Sequence, residues 1–241
     1  MATGVRYLAL RFTIPAAVLA AMVALALLFK FEPESYYYVL RFIGIRPFGY
    51  PFLDLQIIPA SVECWQHGID VYDYNPCDVL NRTFAYSPLW LYFTFLPGKD
   101  WTNSLGLGLS VSFVLALAIL PAPRSRKELL LRLLATLSPV TTFAVERGNI
   151  DLLMFVLATA AGVFLVGPLC RRVAAYAMIV IAALLKFYPL VLMVLTLRER
   201  PRVFLLVNGA AAAMVLATGV YMLLHLARGG GARGVSRRTA R

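Results

Sequence analysis

Residues 13–29 of this chain read TIPAAVLAAMVALALLF, and they decide the class of protein to which it belongs. The run has no charged side chain and is about as short as a helix that crosses the hydrocarbon core of a bilayer can be. Arg6 and Arg11 precede it, as is typical of a cytoplasmic flank. The run lacks the pattern of a cleaved secretory signal, so we expect it to remain in the membrane as an anchor.

The composition of the whole chain indicates the same class. Of its 241 residues, 61% are hydrophobic and 15% are charged, whereas an average soluble domain has about a quarter of its residues charged. A water-soluble core could not bury this much apolar surface, so the solvent must be lipid. The net charge of +11 comes from basic residues between apolar runs or at the termini. There they set topology and contact anionic headgroups, so we predict membrane lipid as a partner and exclude nucleic acid.

Further apolar runs predict that residues 1–226 form one all-α, multi-pass membrane domain with about five to seven membrane segments. The run 173–197 contains Lys186 and Pro189. Because proline interrupts a regular helix, we predict a re-entrant hairpin that turns at Lys186–Pro189 instead of a single crossing. The Gly- and Arg-rich residues 227–241 are predicted to be disordered. The remaining runs are 84–96, which is short enough for a partial helix, 103–120, 129–145, 150–166 and 203–226.

Residues 31–100 form the long polar segment of the chain, and eight of its twelve acids lie there. The basic segments 124–132 and 171–172 should be cytoplasmic by the positive-inside rule. The acidic segment then lies outside, as a long external loop after the first span, and its prolines predict short helices within it. We therefore expect an integral protein of a bacterial-type plasma membrane.

Two of the three cysteines, Cys64 and Cys77, share this external loop. In an oxidising compartment they could form a disulfide, although two free thiols are an equal alternative. Together with His67 they make an incomplete ligand set for a metal ion. No metal site is therefore predicted.

Several residues of the loop could carry chemistry. Asp54 lies between apolar neighbours, where a carboxylate can serve as a general base; the alternative is an ordinary loop acid or helix cap. Tyr72 belongs to a turn over residues 68–73 whose acids are more simply solvated. Tyr86 begins an apolar segment, where it could stack on a sugar or lipid headgroup, or act as an interfacial anchor.

The polar stretch Glu146-Arg147-Gly148-Asn149-Ile150-Asp151 separates two apolar runs. Ionisable residues at the edge of a membrane or inside it indicate a functional site. An internal salt bridge, or side chains that reach back to the interface, are equal alternatives.

Lys186 follows 13 apolar residues and precedes the proline-broken turn. An ammonium group at such a position costs at least roughly 2.5–3.5 kcal/mol to insert. A phosphate contacted by Lys186 and Arg147 would offset that cost. The alternative is a buried ion pair with Glu146 or Asp151.

Five short blocks occur in order between residues 54 and 189: Asp54-Leu-Gln, Trp65-Gln-His-Gly68-Ile-Asp-Val-Tyr72, Phe84-Ala-Tyr86-Ser-Pro88, Arg147-Gly148-Asn149-Ile150-Asp151 and Leu185-Lys186-Phe-Tyr-Pro189. In this order they resemble glycosyltransferase family 87, polytopic enzymes of the C-type glycosyltransferase superfamily. The resemblance implies a C-type glycosyltransferase-like helical bundle in which Asp54 is the catalytic base. It also implies that Arg147 and Lys186 lie near the donor phosphate. Residues of matching motifs are expected to bind substrate: Tyr72, Tyr86, Asn149 and Asp151.

The reaction implied by the resemblance is an inverting transfer of a hexose, with mannose favoured. The donor would be a polyprenyl-phosphate sugar and the acceptor a lipid or glycan at the outer face of the membrane. A Gly-rich nucleotide-binding loop is not evident, which agrees with a lipid-linked donor, and no cofactor is expected. Family members are usually longer, with additional C-terminal spans, so a truncated, inactive member is one alternative. A non-enzymatic membrane protein, such as a transporter fragment or an assembly subunit, is another, although a transporter should contain related halves.

Overall fold

The computed structural model describes the backbone of residues 2–236 and the side chains of residues 10–221, 223 and 224. Within that part of the chain every regular element is a helix, so the prediction of an all-α protein is confirmed. The α-helices are α1 (Ala2–Phe31), α2 (Pro33–Phe42), α3 (Leu53–Gln66), α4 (Thr102–Ile119), α5 (Arg126–Thr136), α6 (Pro139–Arg147), α7 (Asp151–Phe164), α8 (Leu169–Leu185) and α9 (Pro201–Ser236). Three 3₁₀ helices cover Pro88–Tyr92, Lys99–Trp101 and Tyr188–Arg198.

Three helical segments of the described chain are long and apolar enough to cross a membrane: Leu10–Phe31, Lys99–Ile119 and Pro201–Tyr221. A fourth is possible if α5 and α6, which meet at a 45° bend, act as one broken span. These segments indicate a membrane protein. The count is lower than the five to seven predicted segments, because prolines and glycines end several apolar runs early. Thus α7 and the 3₁₀ helix Tyr188–Arg198 are apolar but too short to cross alone.

The chain reverses direction after α8, as the sequence predicts. Lys186 leaves the helix with an extended backbone, and the 3₁₀ helix Tyr188–Arg198 then runs back beside α8. The Tyr176 hydroxyl, in the middle of α8, donates to a Glu199 carboxylate oxygen at 2.8 Å, and the Leu195 carbonyl lies 3.3 Å from the same hydroxyl. The predicted turn at Lys186–Pro189 is therefore confirmed, while its re-entrance into a membrane stays a prediction.

The chain divides into two compact units, residues 1–56 with 100–159 and residues 57–99 with 160–241. The first unit has one apolar cluster where α1, α4 and α7 meet, and a smaller one around Tyr36 and Leu40 of α2. The second unit packs α8 against the 3₁₀ helix Tyr188–Arg198 and against α9. The sequence predicts a disordered tail from residue 227. Helix α9 continues to Ser236, and residues 237–241 of that tail lie outside the described residues.

The part of the predicted external loop in the second unit is held by covalent and polar links. Cys64 and Cys77 form a disulfide with their Cα atoms 5.9 Å apart, one of the two alternatives that the sequence left open. The Asp78 carboxylate accepts hydrogen bonds from Arg82 Nη2 at 2.8 Å and from Arg82 Nε at 3.0 Å. Burial alone would raise the pKa of the Asp78 carboxyl, but the bonds from Arg82 outweigh burial and hold that pKa below its usual value. The loop is therefore folded and cross-linked.

Candidate functional site

Asp54 lies in the first unit, in the first turn of α3. The residue before this helix is bonded to the end of α6, since the Phe52 backbone N–H donates to the Glu146 carbonyl at 2.9 Å. Asp54 is half-buried, so its carboxylate keeps access to solvent. This is the helix-end position that the structural alternative predicts, and it equally suits a proton acceptor.

Asn149 contacts Asp54 directly, although 95 residues separate them in sequence. Its side-chain Nδ2 donates to Asp54 Oδ2 at 3.4 Å. The Oδ1 atom of the same amide accepts the Asp151 backbone N–H at 3.0 Å, at the start of α7. Because the oxygen is held by a backbone donor, the amide must turn its NH₂ group toward the carboxylate. The structure thus brings together Asp54 and the block that begins at Arg147.

Gly148 makes this approach possible. It ends α6 in the left-handed conformation, with φ at +59°, which residues other than glycine adopt at a cost. A Cβ atom at this position would lie 3.0 Å from the Leu55 Cβ and 3.1 Å from the Phe52 Cβ. The glycine therefore sets both the turn and the close approach of α6 to the start of α3.

Arg147 and Glu146 form a buried ion pair beside this turn. Arg147 Nε lies 3.0 Å from Glu146 Oε2, and the two residues are only 6% and 9% exposed. Arg147 Nη2 also donates to the Arg46 carbonyl at 3.2 Å, and its Cζ lies 4.0 Å from the centroid of the Phe48 ring. The internal salt bridge that the sequence left as an alternative is thus present. The guanidinium is held by protein groups at the position where the resemblance implies a phosphate ligand.

Tyr36 completes the polar cluster from α2. Its hydroxyl donates to Glu146 Oε1 at 3.4 Å. Burial raises the pKa of the Tyr36 hydroxyl above its ordinary value, and the nearby Glu146 carboxylate raises it further. Neither Tyr36 nor Glu146 is among the site residues that the sequence predicts. Tyr36 and Leu40 are four residues apart on the buried face of α2, a spacing that could have indicated an inward-facing tyrosine.

The remaining predicted site residues lie in the second unit, except Asp151, which is exposed in the first turn of α7. Tyr72 and Tyr86 flank the buried Phe84, with ring centroids 5.5 and 5.8 Å from it. Burial raises the pKa of Tyr72. Lys186 is half-buried at the end of α8, and its Nζ lies 5.7 Å from the Tyr188 ring centroid. The shared phosphate site of Lys186 and Arg147 stays a prediction.

Comparison with protein-family models, with curated proteins and with solved structures finds no match for this chain. Among the described side chains, no three His, Cys, Asp or Glu residues are grouped so that they could hold a metal ion. The candidate site is therefore defined by its own geometry: a half-buried carboxylate, an oriented amide, a glycine turn and a buried ion pair beside that turn.

Proposed function

We propose that this protein is a membrane hexosyltransferase that moves a sugar, with mannose favoured, from a polyprenyl-phosphate donor to a lipid or glycan hydroxyl. The contact between Asn149 Nδ2 and Asp54 Oδ2 carries the proposal. It joins two of the blocks on which the resemblance to glycosyltransferase family 87 rests. A fixed donor beside a half-buried carboxylate is what a positioned general base requires.

In the proposed reaction Asp54 accepts the proton of the acceptor hydroxyl while the oxygen attacks the anomeric carbon. The bond from that carbon to the phosphate oxygen breaks, its electron pair leaves with polyprenyl phosphate, and the configuration at the sugar inverts. Asn149 holds the carboxylate in one orientation. The resemblance to the family implies that Lys186 meets the charge of the leaving phosphate. The contacts of Arg147 with Glu146 and Phe48 favour a positioning role for it over a direct contact with the phosphate.

The alternative of a non-enzymatic membrane protein is favoured by one observation. The Glu146–Arg147 pair is almost fully buried and bound by neighbouring groups. A polar motif of this kind can serve the fold alone. The two proposals differ in what Asp54 does, so the experiment is directed at that residue.

The test measures transfer of radiolabelled sugar from polyprenyl phosphate mannose, and from the glucose analogue, by membranes that contain the chain. Asp54→Asn keeps the size of the side chain but cannot take the proton, so transfer should fall by roughly two to four orders of magnitude. Asp73→Asn makes the same change at an exposed acid of the loop and should leave transfer unchanged. Protein levels should match in all three samples.

Two results would contradict the proposal. Transfer by Asp54→Asn at the wild-type rate would exclude Asp54 as the base. Absence of transfer by the wild-type chain from either donor, at normal protein level, would favour the non-enzymatic or inactive alternatives.

A further inference from the structure

A cavity of about 180 Å³ lies within the first unit, between α1, α4, α5 and α7. The side chains of two arginines, Arg11 and Arg132, line it, and the walls include Ile14, Leu117 and Phe155. A small apolar cavity edged by two cations differs from the candidate site described above in both residues and chemistry.

The cavity lies where two candidate spans end together. The span of α1 begins at Leu10 and that of α4 ends at Ile119. Arg11 Nε donates to the Ala118 carbonyl at 3.1 Å, so the two helix ends are at the same level. If α1 and α4 cross a bilayer, this level is that of the lipid headgroups.

The charge around the cavity is unbalanced. All twelve acids of the chain fall among the described side chains, and none of them pairs with Arg11 there. Arg132 contacts Glu128 and donates to the Pro121 carbonyl. A guanidinium has five N–H donors, so both arginines retain donors beyond these bonds. The loop and the first turn of α5 add three more cations: Arg124, Arg126 and Lys127.

We propose that this cavity binds the phosphate of an anionic glycerophospholipid, with Arg11 and Arg132 as the phosphate contacts. Guanidinium groups match phosphate oxygens with paired hydrogen bonds. The apolar walls receive the glycerol and the first carbons of the acyl chains, which a soluble phosphate lacks. The site does not depend on the proposed transferase activity.

The experiment titrates the purified full chain in detergent with phosphatidylglycerol, phosphatidylcholine or inorganic phosphate, and follows bound lipid by native mass spectrometry. The wild-type chain should bind phosphatidylglycerol in preference to phosphatidylcholine. Arg11→Gln should weaken binding of phosphatidylglycerol about tenfold, which is about 1.4 kcal/mol. Arg126→Gln is the matched control, because it removes an equal charge from the same basic cluster but does not line the cavity. It should change the affinity less than about twofold.

A second variant tests the cavity without changing charge. Ala135 lines the cavity and is exposed on α5, so Ala135→Phe should fill the space, keep the fold and abolish the preference for phosphatidylglycerol. If Arg11→Gln does not fold, Ala135→Phe still tests whether the lipid binds in the cavity. Equal losses in Arg11→Gln and Arg126→Gln would mean diffuse attraction to the surface and would overturn the proposal. So would unchanged binding in Ala135→Phe, or binding of inorganic phosphate but not of the lipid.

Discussion

Gly148 connects two parts of the candidate site that are distant in sequence. Its positive φ ends α6, and its missing Cβ leaves room for Phe52 and Leu55. Gly148→Ala should lower the free energy of unfolding by about 1–3 kcal/mol, because the new side chain is both strained and crowded. Thermal unfolding in detergent measures this. Gly49→Ala is the matched control, since a Cβ there meets nothing within 4 Å, and equal stabilities of the two variants would contradict the role of Gly148.

Asn149 is expected to act through Asp54. Asn149→Asp can still accept the Asp151 backbone N–H, as aspartate does in the same kind of turn. It places a second carboxylate beside Asp54, however, and a like charge disfavours the ionised base. The acidic limb of the pH–rate profile for sugar transfer should therefore move upward by about one pH unit or more. Asn149→Ala, which adds no charge, should lower the rate with a smaller movement of that limb. A profile that does not move in Asn149→Asp would leave Asn149 with a structural role alone.

Sequence reasoning at the residue scale singled out polar residues of the candidate site but not all of their partners. Asp54, Arg147 and Asn149 are conspicuous because they interrupt apolar sequence. The hydrogen bond from Tyr36 to Glu146 joins residues that are 110 positions apart in sequence. The stacking of Arg147 on Phe48 requires the loop before α3 to pack against the end of α6. Local pattern carries no information about such pairings, because they arise from tertiary packing.

At the scale of elements, the disulfide is the main constraint on the loop of the second unit. It joins Cys64, in the last turn of α3, to Cys77, 13 positions further along the chain. Cys64→Ser with Cys77→Ser should lower the free energy of unfolding by about 3 kcal/mol in the chain-entropy model. Unfolding with and without reductant measures this, and Cys170→Ser at the exposed free thiol is the control. Alkylation of both loop thiols without reductant would show that the bond is absent.

The helices themselves follow the sequence closely where proline, glycine and serine punctuate it. The Ser138–Pro139 pair separates α5 from α6, with the Ser138 side chain accepting the Thr141 backbone N–H. Gly167 and Pro168 separate α7 from α8, and Pro189 lies in the predicted turn. Fewer described helices are long and apolar enough to cross a membrane alone than the sequence predicts as membrane segments, since an apolar run interrupted by such residues yields short helices. Apolar composition alone does not distinguish these from membrane spans.

For the whole molecule, the apolar composition indicates a helical membrane protein, and three helical segments of the described chain are long and apolar enough to cross a membrane. The side of the membrane on which Asp54 would lie is predicted by a different argument, the distribution of arginine and lysine. Residues 31–100 should be external, and the segment 124–132 should be cytoplasmic. The proposed chemistry at the outer face depends on this orientation.

Labelling of single cysteines tests the orientation. In a background with Cys64→Ser, Cys77→Ser and Cys170→Ser, a cysteine introduced by Asp73→Cys should react with an impermeant thiol reagent in intact cells, because Asp73 is exposed in the acidic loop. A cysteine introduced by Lys127→Cys, equally exposed at the start of α5, should react only after lysis. The reverse pattern would place Asp54 on the cytoplasmic side, where the acceptor hydroxyl and the sugar donor would have to be presented from within the cell.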